Sequence, residues 1–91
     1  MLISVVIPCY YSEKTIRKVV ELVMAEFEKN DGYECEFVLV NDGSTDHTFE
    51  EIQKLGAQYP NVCGVNLMRN FGQHNALMAA LHYAKGDYVL G

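Results

Sequence analysis

The sequence predicts an α/β fold built on a parallel sheet, with elements alternating as βαβαβαβ. Short apolar runs rich in β-branched residues alternate with longer segments whose apolar residues recur at helical spacing. The connections between them are short, and such alternation implies parallel strands joined by right-handed crossovers, with helices covering the sheet. The hydrophobic fraction of 49% belongs to a globular chain. No apolar run approaches the ~20 residues that cross a bilayer as a helix.

The first strand is Ile3-Ser4-Val5-Val6-Ile7, closed by Pro8, which cannot continue a central ladder. Ser12 is the expected N-cap of the first helix, with Glu13 as a first-turn acid favoured by the helix dipole. Ile16, Val19, Val20, Val23 and Phe27 make one apolar face of that helix. Asn30-Asp31-Gly32 ends it, and residues 36–41 form the second strand.

The second helix starts near Asp46 or Thr48, where Thr48 and Glu51 have the spacing of a capping box. Phe49, Ile52 and Leu55 mark its inner face, and Tyr59-Pro60-Asn61 stops it. A third strand follows at 62–67, then a polar, Gly-containing loop at 68–73. The Ala-, Leu- and Met-rich segment 75–84 favours helix. Gly86-Asp87 turns into a last strand at 88–90. The chain stops inside this apolar strand, so the expectation is the first part of a longer domain.

Composition excludes several functions. A formal charge of −5, with seven Lys and Arg that do not cluster, argues against a nucleic-acid surface. Cys9, Cys35 and Cys63 are widely spaced and odd in number. They form neither a metal knuckle nor a disulfide framework, read as small buried hydrophobes, and fit a cytosolic location. Leu2 to Pro8 is too short for a signal-peptide core and lacks a basic start. There is no Gly-rich phosphate loop of either common type and no nucleophile elbow.

The candidate chemistry lies in three loops that follow the carboxyl ends of strands, where open α/β sheets bind ligands. In the first, Tyr10 either stacks on a planar base or packs on the adjacent helix start. In the second, Asn41-Asp42-Gly43-Ser44-Thr45-Asp46, Asp42 either accepts from an imide or amide N–H of a base or shapes the loop as an Asx-turn, and Asp46 caps the helix. A carboxylate here repels phosphate, which directs this loop toward a base or sugar. The twelve-residue calcium-loop pattern is not met. In the third loop, Arg69 either pairs with a diphosphate through its planar fork or is a surface residue beside a capping loop. Gly72 allows close backbone approach. His47 and His74 have no ligand-spaced partners and read as exposed polar residues rather than metal ligands.

Taken in order, Val5-Val6-Ile7-Pro8-Cys9-Tyr10, Val40-Asn41-Asp42-Gly43-Ser44-Thr45-Asp46 and Arg69-Asn70-Phe71-Gly72-Gln73-His74 resemble the family 2 inverting glycosyltransferases. The last motif is most similar to the branch that acts on polyprenyl phosphates, the dolichol- and undecaprenyl-phosphate sugar transferases. The resemblance covers essentially the whole chain. It implies a GT-A-type nucleotide-binding fold, with residues 1–91 forming the N-terminal donor-binding part of an incomplete domain. It further implies that Pro8 and Tyr10 contact the base and ribose region, that Asp42 hydrogen-bonds the base, and that Arg69 lies near the phosphates. The chain departs from the family pattern in two places. Tyr11 and Ser12 stand where Asn and often Glu are usual, and Asn41 stands where Asp is usual.

By the same resemblance the donor is a UDP- or GDP-linked sugar and the acceptor of the full-length protein is a lipid phosphate, at the cytosolic face of a membrane. An Asp-x-Asp motif holding Mg²⁺ or Mn²⁺ is expected just beyond Gly91. No catalytic residue or metal ligand is expected within the chain, which alone is expected to bind no metal and to be inactive. The alternatives are a family 2 enzyme that extends a polysaccharide or cell-surface glycan, and a non-catalytic α/β binding module such as a flavodoxin-like receiver. An uncovered last strand also invites self-association through the sheet edge.

Overall fold

A computed structural model of the chain describes residues 1–30, 32–67, 86 and 88–90. Its elements are β1 (Leu2–Cys9), α1 (Ile16–Glu28), β2 (Glu34–Asp42), α2 (Thr48–Gln58), β3 (Val62–Leu67) and β4 (Tyr88–Leu90). The helix expected over 75–84 and the loop before it lie outside the described residues.

All strand pairings are parallel, in the order β3-β2-β1-β4. In register, Val6 lies opposite Val38 and Pro8 opposite Val40, while Val40 lies opposite Val65. β1 thus continues through Pro8 to Cys9, further than expected from a residue without an N–H. Its pairing with β4 runs only from Ile3 to Val5. Beyond Val5 one side of β1 has no ladder partner among the described residues.

Side chains alternate between the two faces of the sheet. On one face Val5, Cys9, Phe37, Leu39 and Val62 pack with Ile16 and Val20 of α1 and with Ile52 and Leu55 of α2. The other face carries Val6, Val38 and Val40, with Val65 and Leu67 against them. A strand run such as Phe37-Val38-Leu39-Val40, buried on both faces, is what a central parallel strand requires. Val23 and Phe27 join the first cluster as their spacing predicts, but Val19 is 43% exposed, at the margin of the apolar face.

Two close approaches set this packing. A Cβ on Gly64 would stand 2.6 Å from Cγ2 of Ile52, so α2 lies against β3 at a distance that only glycine permits. At the amino ends of the strands, buried Ser4 donates its hydroxyl to Glu36 Oε1 at 2.7 Å and accepts the Gly86 N–H at 2.7 Å. That hydroxyl ties β1 to β2 and to the turn before β4.

The helix starts differ from expectation. α1 begins at Ile16, and Ser12 serves it through its carbonyl, which accepts the N–H groups of Thr15 at 3.1 Å and Ile16 at 3.0 Å. The Ser12 hydroxyl instead donates to the Tyr10 carbonyl at 3.2 Å. Glu13 therefore precedes the first turn of α1, which contains no acidic residue. At α2 no capping box forms. Glu51 is held by Arg17 Nε at 2.6 Å, and Arg17 also donates to Gln58 Oε1 at 2.6 Å, so α1 is clipped to α2. Asp46 does cap, accepting the Thr48 N–H at 3.0 Å.

The cysteines are free and fall into three environments: Cys9 buried, Cys35 half-buried and Cys63 exposed. Burial pushes the Cys9 thiol up to about 12, as an inert core hydrophobe requires. Cys63 corrects the expectation of burial. Gly64 faces α2, so its neighbour Cys63 points to the other face of an edge strand.

Candidate functional site

The strand order reverses at β1. The chain steps from β1 to β2 to β3 on one side, and β4 then pairs with β1 on the other. In open α/β sheets the crevice at such a reversal, outside the carboxyl ends of the strands, is where ligands sit. The loop after β1 and the turn after β2 both occupy this end.

Three of the four residues singled out from the sequence come together here. Pro8 and Tyr10 lie at and just after the end of β1. Asp42 is the last residue of β2, one position past the Cys9–Asn41 register pair. Tyr10 is 53% exposed, with its ring edge-on to Tyr11 at a centroid distance of 4.6 Å. The fourth, Arg69, lies outside the described residues, as does His74. His47 is exposed, as expected, with Nδ1 at 3.0 Å from Glu50 Oε1.

The turn after β2 is built from within. Asn41 is buried, accepts the Ser44 N–H on Oδ1 at 3.2 Å and donates from Nδ2 to Asn66 Oδ1 at 2.8 Å. Gly43 follows at φ +75°, a left-handed conformation that glycine adopts without steric cost. The turn thereby closes back on the strand end and is pinned sideways to β3.

The turn is also tied to the loop after β1, by contacts that sequence reasoning missed. Tyr11 donates its backbone N–H to Ser44 Oγ at 2.8 Å, and its phenol shares a 2.9 Å hydrogen bond with the Thr45 hydroxyl. The Ser12 N–H donates to Oγ1 of fully buried Thr48 at 2.8 Å. The signal that could have pointed to this seam was the departure from the family pattern at Tyr11 and Ser12.

Electrostatically, this end of α2 is acidic. Desolvation opposes ionisation of Asp46, but the hydrogen bonds from Thr48, together with Asp46's own backbone N–H and the nearby His47, hold the carboxyl below its ordinary value. The hydrogen bond to Glu50, reinforced by the charges of Glu50, Glu13 and Asp46, raises His47 above its ordinary 6.5. Among the described residues no three His, Cys, Asp or Glu side chains converge as metal donors.

The sequence matches the family described as Glycosyl transferase family 2 over residues 4–91. The chain belongs to that family. Among its relatives is the prophage bactoprenol glucosyl transferase homolog of Escherichia coli (strain K12), 39% identical over 90 residues, a match covering 99% of this chain and 29% of that protein. S. aureus TarS 1-349 in complex with UDP superimposes with a TM-score of 0.77 at 33% identity, over 99% of this chain and 26% of that one. The mannosyltransferase PcManGT from Pyrobaculum calidifontis, in complex with GDP-Man and Mn²⁺, gives a TM-score of 0.72 at 25% identity, over 96% of this chain and 25% of that one. The fold is the GT-A type of these glycosyltransferases. The chain spans under a third of the length of these relatives.

Proposed function

We propose that residues 1–91 are the donor-binding part of a glycosyltransferase that moves a sugar from a nucleoside diphosphate to a polyprenyl phosphate, working at the cytosolic face of a membrane. The observation that carries this reading is the meeting of the β1 loop, with Tyr10, and the β2 turn, with Asp42, at the reversal of strand order in a family 2 chain. Tyr10 offers a ring face to a base, Pro8 borders the base and ribose, and Asp42 accepts an N–H of the base. Arg69 pairs with the diphosphate.

The neighbour complexes with UDP and with GDP-Man and Mn²⁺ support a nucleotide donor and a divalent cation. The relative named for bactoprenol supports a lipid acceptor. The cation, when bound, neutralises charge on the leaving nucleoside diphosphate. We place its ligands after Gly91, so this chain's own part is to bind and orient the nucleoside. In the reaction, a lipid phosphate oxygen displaces the nucleoside diphosphate at the anomeric carbon with inversion.

The test is calorimetric titration of the full-length protein with UDP and with GDP, each with and without Mn²⁺, alongside Asp42→Ala. Binding of one nucleotide that Asp42→Ala abolishes supports the reading and names the base. A folded protein that binds neither nucleotide refutes it.

A further inference from the structure

We infer that Tyr11 is a positioning residue that sets the spacing between Tyr10 and Asp42, an inference that rests on the donor-site reading above. Three observations carry it. Tyr11 adopts φ +50°, and among the described residues it is the one non-glycine residue with positive φ. That conformation is disfavoured for an aromatic residue and natural for Asn. A strained residue persists where its surroundings over-determine it, and such residues cluster at functional sites.

What holds Tyr11 is the neighbouring turn. Its N–H reaches Ser44 Oγ and its phenol reaches Thr45 Oγ1, at 2.8 and 2.9 Å. Ser44 is itself fixed by Asn41, at the strand end that carries Asp42. On its other side, Tyr11 meets the Tyr10 ring edge-on, with the planes at 83°. One residue therefore contacts both the aromatic ring and the turn proposed to hold the base. The ring stays half-exposed, at 50%, so burial does not explain the strained backbone. The phenol bond adds a constraint that an Asn at this position, lacking the reach, would not supply.

Three variants of the full-length protein test this by titration with UDP and GDP and by thermal unfolding. Tyr11→Phe loses only the phenol bond and is expected to raise the nucleotide Kd about 3- to 10-fold, in line with the net worth of one hydrogen bond. Tyr11→Asn relieves the backbone, so it is expected to raise Tm while weakening binding by a similar factor. A purely structural residue would not separate those two readouts. Thr45→Val is expected to weaken binding as Tyr11→Phe does, the double variant to be no weaker than either, and Thr45→Ser to bind like wild type.

Wild-type affinity in both Tyr11→Phe and Tyr11→Asn overturns the inference while leaving the donor site intact, provided Asp42→Ala still abolishes binding. Additive losses at Tyr11 and Thr45 also overturn it. A folded wild-type protein that binds neither nucleotide overturns the donor-site reading and this inference together.

Discussion

Asn41 donates its side-chain amide to Asn66 Oδ1 at 2.8 Å, joining β2 to β3 at the end of the sheet where the candidate site lies. The same side chain accepts the Ser44 N–H, so it fixes the turn in two directions. Truncation by Asn41→Ala leaves the half-buried Ser44 N–H without its partner and removes the tie to β3, while the exposed Asn66 amide turns to water. The expected loss of stability is about 1–3 kcal/mol, read by urea denaturation. Asn41→Asp keeps an acceptor for Ser44, and an amide flip at Asn66 turns its Nδ2 toward the new carboxylate. That variant should therefore lose less than Asn41→Ala at neutral pH, and a larger loss would refute the pairing.

The close approach at Gly64 makes a second prediction. Gly64→Ala puts a methyl within overlap of Ile52 Cγ2, and Ile52 is fully buried. Overpacking of this kind costs about 1–3 kcal/mol. Ile52→Leu removes the β-branch methyl at similar volume, so Gly64→Ala should cost less in the Ile52→Leu background. Equal costs in the two backgrounds, by chemical denaturation, would show that Ile52 is not the obstacle.

These two cases mark what the residues reveal by themselves. The apolar run Val38-Leu39-Val40 discloses a strand because burial on both faces of a sheet selects it, while the strand at 62–67, with only Val62 buried, carries a weaker pattern. Likewise the spacing of Ile16, Val20, Val23 and Phe27 discloses a helix face. Tyr10 and Asp42 could be placed at neighbouring strand ends from the alternation of elements, and the structure has them there, whereas Pro8 entered as a candidate only through the family resemblance. Partners distant in sequence were not legible. Thr48 and Glu51 have the local spacing of a capping box, but Thr48 receives the Ser12 N–H and Glu51 receives Arg17, both from the first βα unit. A tertiary donor outcompetes the local one, and spacing cannot register that. Strand order, and with it the reversal at β1, likewise depends on contacts between segments far apart in the chain.

His47 provides a pH-dependent readout at the start of α2. Its pKa is raised in the fold by its hydrogen bond to Glu50, with Glu13 and Asp46 adding to the effect. A group with a raised folded pKa stabilises the fold most when protonated in both states. The contribution is therefore fully present below the ordinary value of 6.5 and is lost as pH rises through the folded pKa. NMR titration of the His47 ring should show a midpoint above 6.5, and Glu50→Gln should bring it down. A midpoint unmoved by Glu50→Gln would mean that the pair does not persist in solution.

Tyr10 separates the two roles that its sequence position allowed. It is 53% exposed, it follows β1 directly, and its hydroxyl is not needed for stacking on a base. If it serves as a stacking platform, Tyr10→Phe should keep nucleotide affinity within about 2-fold. Tyr10→Ala should then lose about 1–3 kcal/mol of binding, the usual worth of a base–aromatic stack. Were Tyr10 only packing on the start of α1, Tyr10→Ala would lower Tm and leave the Kd of the folded protein unchanged. Calorimetry and thermal unfolding on the same two variants distinguish the cases, because stacking appears in the first measurement and packing in the second.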